Sequence, residues 1–190
     1  MSSHNRHQRH QQESGFTIVE ASLVLMIIFI ITGIALLDTT GMIPRMHANE
    51  ALNQAVAQLR NGREQAIAQR RNVEIRFLDE NKIQLVRFDV PGGTTTLSTV
   101  SLGNEFTFQV FGGLPDTPDA FGNSGPLDFG GADSLIFLSD GTLVDSNGSP
   151  VSGTVFIGLS DHPETARAVT ILGATGRVRG YLWTGSAWIH

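Results

Sequence analysis

No cysteine occurs among the 190 residues. An exported body built from this chain must therefore be held by packing and hydrogen bonds, without a disulfide. Positive charge is in short supply: 13 Lys and Arg stand against 18 Asp and Glu, a net charge of −5. That balance gives no global case for nucleic-acid binding. From residue 100 onward nine acidic residues face only three basic ones, Arg167, Arg177 and Arg179. No internal repeat is present, and no HExxH or CxxC motif occurs.

Signs of catalysis are equally thin. Gly122-Asn123-Ser124-Gly125-Pro126 lacks the aspartate and one glycine of a serine-nucleophile loop. His47 and His162 are the only histidines of the body before the terminus, and neither sits in a motif that makes a base. Asp128-Phe129-Gly130 spells a kinase magnesium triplet with no phosphate loop or catalytic loop elsewhere. Asp116, Asp119, Asp128 and Asp133 do not have the spacing of a calcium loop and read as solvated loop aspartates. The expectation is a protein that is not an enzyme and has no metal or cofactor.

What the chain does have is a long apolar run. Phe16 to Leu37 spans 22 residues (37 − 16 + 1), and Glu20 alone among them can carry charge. As a helix rising about 1.5 Å per residue it reaches about 33 Å, enough for a bilayer core of about 30 Å. A lone ionisable group at membrane depth costs on the order of a few kcal/mol and marks function by default. On these residues alone, an ordinary signal anchor with Glu20 near the interface stays open as an alternative. Met1 to Gly15 is polar and carries Arg6, Arg9, three histidines and three glutamines. A conventional secretory leader puts its apolar core before the cleavage site, whereas here it follows. The basic leader places residues 1–15 in the cytoplasm and the body outside. His4, His7 and His10 lie three apart, but no second ligand cluster joins them, so they read as leader rather than metal site.

Past Asp38-Thr39-Thr40-Gly41, which marks the interface, and Pro44, a candidate kink, a helical stripe begins. Ala48, Ala51, Leu52, Ala55, Val56, Leu59 and Ala66 recur at spacings of three, four and seven, which predicts an amphipathic helix over 45–71. From Val73 the period becomes two. Strands are expected at Val73–Leu78, Ile83–Val90, Thr94–Leu102, Phe106–Phe111, Ser134–Leu138, Val151–Leu159, Ala166–Leu172 and Val178–Trp183. Turn signals such as Asp79–Lys82, Pro91-Gly92-Gly93 and Asn147-Gly148-Ser149-Pro150 separate them, and Gly112–Ala132 reads as a loop without periodicity. The expected class is α+β: one long N-terminal helix, transmembrane in its first half and amphipathic in its second, packed on an antiparallel β-sheet body.

Gly15-Phe16-Thr17-Ile18-Val19-Glu20, followed by the apolar run, resembles the processing site of class III signal peptides on type IV prepilins and type II secretion pseudopilins. Ile136–Leu143, Ala168–Leu172 and Thr175-Gly176-Arg177-Val178-Arg179 are similar to the C-terminal pattern of the GspH/FimT family of minor pilins and pseudopilins. The resemblance implies a pilin-like fold with a leader at 1–15, a transmembrane helix at 16–37, its amphipathic continuation at 38–72 and a periplasmic β body at 73–190. It implies a cut after Gly15 by prepilin peptidase and methylation of the new terminus at Phe16. Loss of Arg6, Arg9 and Glu13 then leaves 11 basic and 17 acidic residues, net −6 (13 − 2 = 11; 18 − 1 = 17). Glu20 would pair with the Phe16 amine of a neighbouring subunit, a favourable arrangement in a low-dielectric helix bundle. The implied role is a minor pseudopilin of type II secretion, with other major and minor pilins, the inner-membrane assembly platform and membrane lipid as partners. The alternative is a FimT-like minor type IV pilin that acts in pilus assembly or binds DNA during uptake. Gly176-Arg177-Val178-Arg179 matches a Gly-Arg-x-Arg motif tied to DNA binding in some FimT-type members, and Arg177 and Arg179 share one face of a strand.

Overall fold

In a computed structural model of the chain the described residues are 17–103 and 105–190. The leader, residues 1–15, and Phe16 lie outside the described residues, and with them the cleavage and methylation positions Gly15 and Phe16. The chain divides into two compact units, Met1–Gly41 and Met42–His190. A helix, α1, is assigned over Ile18–Gln69 and runs through Pro44.

In the first unit, the described large apolar side chains are exposed, from Val24 at 43% to Ile18 at 87%. Two of its described hydroxyls bond within the helix: Ser22 donates to the Ile18 carbonyl and Thr32 to that of Ile28, each at 2.7 Å. Such back-bonding meets the hydrogen-bonding demand of these two side chains inside the helix. Among the described residues no helix is long and apolar enough to cross a membrane. The described side chains of the run cover Thr17 to Gly33, which is 17 residues (33 − 17 + 1) and about 25 Å of helix. In sequence the apolar run continues to Leu37.

The second unit is the body. Ala48, Ala51, Leu52, Ala55, Leu59 and Ala66 of the helical stripe are all buried, and Val56 packs beside them half-buried. They cover two antiparallel sheets rather than one. The first holds β1 (Val73–Leu78), β2 (Lys82–Phe88), β3 (Thr94–Ser101), β6 (Leu135–Phe137) and β7 (Leu143–Val144), in the order β3-β2-β1-β6-β7. The second holds β4 (Phe106–Phe108), β8 (Gly153–Leu159), β9 (His162–Leu172), β10 (Arg177–Trp183) and β11 (Trp188–Ile189), in the order β11-β10-β9-β8-β4, with β5 (Leu127–Asp128) paired to β8. Gly62 lets the helix meet the first sheet closely, since a Cβ there would lie 2.8 Å from Leu85 Cδ2. At Gly180 the second sheet receives Leu52 and Val56 in the same way.

Period two on one face explains the strands that the sequence announces. β5, β7 and β11 are two residues long and too short to show a period. β9 begins at His162 rather than Ala166, because Thr165 is buried and bonds back to the His162 carbonyl and from the Leu159 amide. The sheet of β8, β9 and β10 is also covered on both faces. Val155, Ile157, Val169 and Ile171 join the main core, while Phe156, Ala168, Tyr181 and Trp188 form a second, smaller one.

Candidate functional site

Three places concentrate polar chemistry. The first is the start of α1. Thr17 precedes the helix, and its Oγ1 accepts the Glu20 amide at 3.3 Å. Thr17-Ile18-Val19-Glu20 thus has the spacing of a capping box, with Glu20 at the third helical position. A carboxylate there also faces the positive end of the helix dipole. The bond to Thr17 is made by the Glu20 main-chain amide, so the spacing and the helix dipole are what favour a carboxylate at this position.

The second place is the outer face of the six-stranded sheet. The first part of the stretch Gly112–Ala132, aperiodic in sequence, folds over this face, while Leu127–Asp128 pairs with β8 and Phe129 enters the main core. Val110, Phe111 and Leu114 pack on the smaller core, and Trp188 Nε1 donates to the Pro115 carbonyl at 2.8 Å. Gly158 makes room for Phe111, whose ring would lie 2.3 Å from a Cβ there. Asp116 ties the loop to itself through the amides of Thr117 and Gly122. Asp128 takes the Ser124 hydroxyl and amide, which hold its carboxyl below the usual range.

Asp119 is the centre of the cluster. Arg179 Nη1 donates to its Oδ1 at 3.1 Å, and Arg177 Nη2 stands 3.7 Å from the same oxygen. Thr170 and Tyr181 hydroxyls donate to Oδ2 at 2.6 and 3.0 Å. The alternation along β10 that puts residues 177, 179 and 181 on one face brings these groups together, and register sets Thr170 opposite Arg179. Burial pushes the Asp119 carboxyl up, but the bonds from Thr170 and Tyr181 and the charges of Arg179 and Arg177 outweigh it and leave it below the usual range. Burial, with the Asp119 charge, pushes the Tyr181 hydroxyl up, so it remains a donor at neutral pH. Asp119 is only 10% exposed at its side chain, so it is not the solvated loop aspartate that its sequence setting suggests. Arg177 and Arg179 stay partly exposed, at 46% and 36%; one Arg179 N–H is engaged by this carboxylate, whose charge also offsets that of Arg177 at 3.7 Å.

The third place went unmarked in the sequence. Arg167, on the inward face of β9, is buried and has no carboxylate partner among the described residues. Its Nε donates to Asn49 Oδ1 at 2.9 Å and its Nη2 to the Arg45 carbonyl at 3.2 Å, while Nη1 donates to the Ala166 carbonyl at 2.8 Å. Burial, then the Arg45 charge, lowers its pKa. It ties the helix at residues 45–49 to the sheet. The signal was a single charge inside the strand-like run Ala166–Leu172, whose other residues are apolar save Thr170.

Among the described residues no three His, Asp or Glu are placed to hold a metal. His162 is bonded to Glu164 at 2.8 Å on the surface.

The arrangement of a helix over antiparallel sheets has a solved counterpart. The minor pilin FimU of Pseudomonas aeruginosa superposes with a TM-score of 0.51 at 19% identity, over 77% of this chain and 95% of that one. The fold is pilin-like. The minor pseudopilin EpsH of the Vibrio cholerae type II secretion system is also similar, with a TM-score of 0.47 at 15% identity over 70% and 95% of the two chains. No protein-family model matches the sequence, and no curated protein does. The pilin-like body places Arg177 and Arg179 on the strand face covered by the Asp119 loop.

Proposed function

We propose that the chain is a structural subunit of a pilus-like filament, a minor pseudopilin of a type II secretion system that does no chemistry of its own. Prepilin peptidase cuts after Gly15 and methylates Phe16. The apolar helix holds the chain in the inner membrane with its body in the periplasm, and the assembly platform then moves it into the filament among other pilins. The observation that carries this reading is the uncovered apolar helix with Glu20 in its first turn, in a chain whose body is pilin-like. An uncovered apolar surface of this extent calls for lipid or neighbouring helices. The competing assignment, a minor type IV pilin taking DNA through Arg177 and Arg179, draws on the Gly176-Arg177-Val178-Arg179 run. Asp119 between the two guanidiniums argues against it.

Two substitutions separate assembly from helix capping at Glu20. Gln keeps the shape and the capping capacity at the third helical position but removes the charge, whereas Leu removes both. Both variants are expected to insert in the membrane and lose filament incorporation by at least about tenfold, the factor set by about 1.4 kcal/mol of lost pairing. Co-purification with the other minor subunits measures it. Normal incorporation of Glu20→Gln with loss only in Glu20→Leu would reduce Glu20 to a capping residue.

The DNA assignment has its own check, on the full-length protein in uncharged detergent. No duplex DNA binding is expected at physiological salt, and replacing Arg177 and Arg179 with Gln is expected to lower thermal stability instead. Binding with a log–log salt slope of about −1.8, about −0.9 for each of the two arginines and flattened in the double variant, would reinstate the nucleic-acid reading.

A further inference from the structure

Arg60 and Arg63 lie one turn apart on α1, over the start of β10, and among the described residues neither has a carboxylate within 4.0 Å. Each is instead held by a main-chain carbonyl. Arg60 Nη2 donates to the Val178 carbonyl at 3.2 Å, and Arg63 Nε to that of Thr175 at 3.1 Å. Two glycines in the left-handed region make room for Arg63. A Cβ on Gly176 (φ 60°) would fall 2.8 Å from Arg63 Cδ and 2.1 Å from the Gly141 carbonyl oxygen. One on Gly141 (φ 88°) would fall 3.0 Å from Arg63 Nε. Arg60, Arg63, Glu64, Thr175 and Arg177 line a cleft of about 470 Å³.

Most N–H donors of the two guanidiniums have no protein acceptor, although both are held in place. That combination suits a planar, two-oxygen anion: the fork geometry matches a carboxylate, and the side-chain ordering is already done before the partner arrives. We propose that this cleft receives carboxylate side chains from an adjacent acidic subunit of the same filament, a partner that rests on the filament-subunit reading above. Charge complementarity selects it. A processed subunit like this one carries net −6 and, from residue 100 onward, nine acidic against three basic residues. Like-charged bodies in register repel unless a basic cleft meets a carboxylate, and Arg60 and Arg63 supply one.

Fluorescence anisotropy of labelled hexaglutamate, titrated with the full-length protein in uncharged detergent at low ionic strength, tests the cleft. Hexaglutamate is expected to bind and to weaken as salt rises. Arg60→Gln, which removes one hydrogen bond to the fold, is expected to lower the affinity at least about tenfold while the melting temperature falls by no more than about 5 °C. Arg60→Lys should recover part of it, since charge remains without the fork. Arg76→Gln, at a surface arginine paired with Glu74, should change nothing. Absence of hexaglutamate binding, or equal binding by Arg60→Gln, overturns the proposal. Tighter binding of duplex DNA that is lost in Arg60→Gln also overturns it, assigning the cleft to nucleic acid. The amino terminus of the same preparation separates the two readings. A chain processed at Gly15 that ignores hexaglutamate removes the cleft alone, and a chain never processed that binds it removes the filament partner.

Discussion

Replacing Asp119 with alanine is expected to destabilise the folded body by about 2–4 kcal/mol. Thr170 and Tyr181, both buried, would lose the acceptor of their hydroxyls, at about 1 kcal/mol or more each. Arg177 and Arg179 would be left as like charges on alternate residues of one strand face. Their partial exposure lets water screen them, which keeps the total below that of a fully buried broken pair. Asp119→Asn keeps the shape and one acceptor and should lose about half as much. Denaturant unfolding measures both, and a change within about 0.5 kcal/mol for Asp119→Ala would show that the loop rests on its apolar contacts alone.

The same substitution has a pH signature. Asp119 is held below the ordinary carboxylate range when folded, so the folded state binds fewer protons than the unfolded one in acid. Its contribution is fully present above the unfolded value of about 3.9 and is lost as pH falls through the folded value. Asp128 is depressed in the same direction by Ser124. Asp119→Ala should therefore flatten part of the fall in stability below about pH 4, leaving the remainder to groups such as Asp128.

A bulky residue at position 15 is expected to have the largest effect of all. Gly15→Leu should leave residues 1–15 attached to essentially every chain, because a peptidase that cuts after glycine would have to accept a branched side chain at the scissile bond. The uncut chain keeps Arg6 and Arg9 next to the apolar run and has no free amine at Phe16. Two basic residues drawn into a helix bundle carry a heavy desolvation cost, so incorporation should fall to background. Immunoblotting of membrane and filament fractions reads both effects. Filaments that contain uncut Gly15→Leu would separate processing from assembly.

The parts of this molecule legible in the sequence are those with a period. Ala48, Ala51, Leu52, Ala55 and Leu59 announce the buried helix face, and Val73–Leu78 announces a strand that the structure gives with the same bounds. Alternation likewise put Arg177 and Arg179 on one face. Their partner was hidden, because Asp119 lies 60 residues before Arg179 in a stretch with no period to place it. The division into two sheets was hidden for a similar reason: β7, through which the first sheet ends, is two residues long. Arg167 was overlooked because a charge inside an apolar strand reads as an interruption, whereas it reaches back 118 residues to Asn49. Glu20 was conspicuous from the start, but its position three residues after a capping threonine became apparent only with the hydrogen bond to Thr17.

Processing lies at the base of the proposed function, and the mass of the amino-terminal peptide of the chain recovered from its own membranes tests it most directly. The account predicts a chain that begins at Phe16 with a methylated amine. A mature start at any other residue, or an intact Met1 beside an active prepilin peptidase, would contradict it.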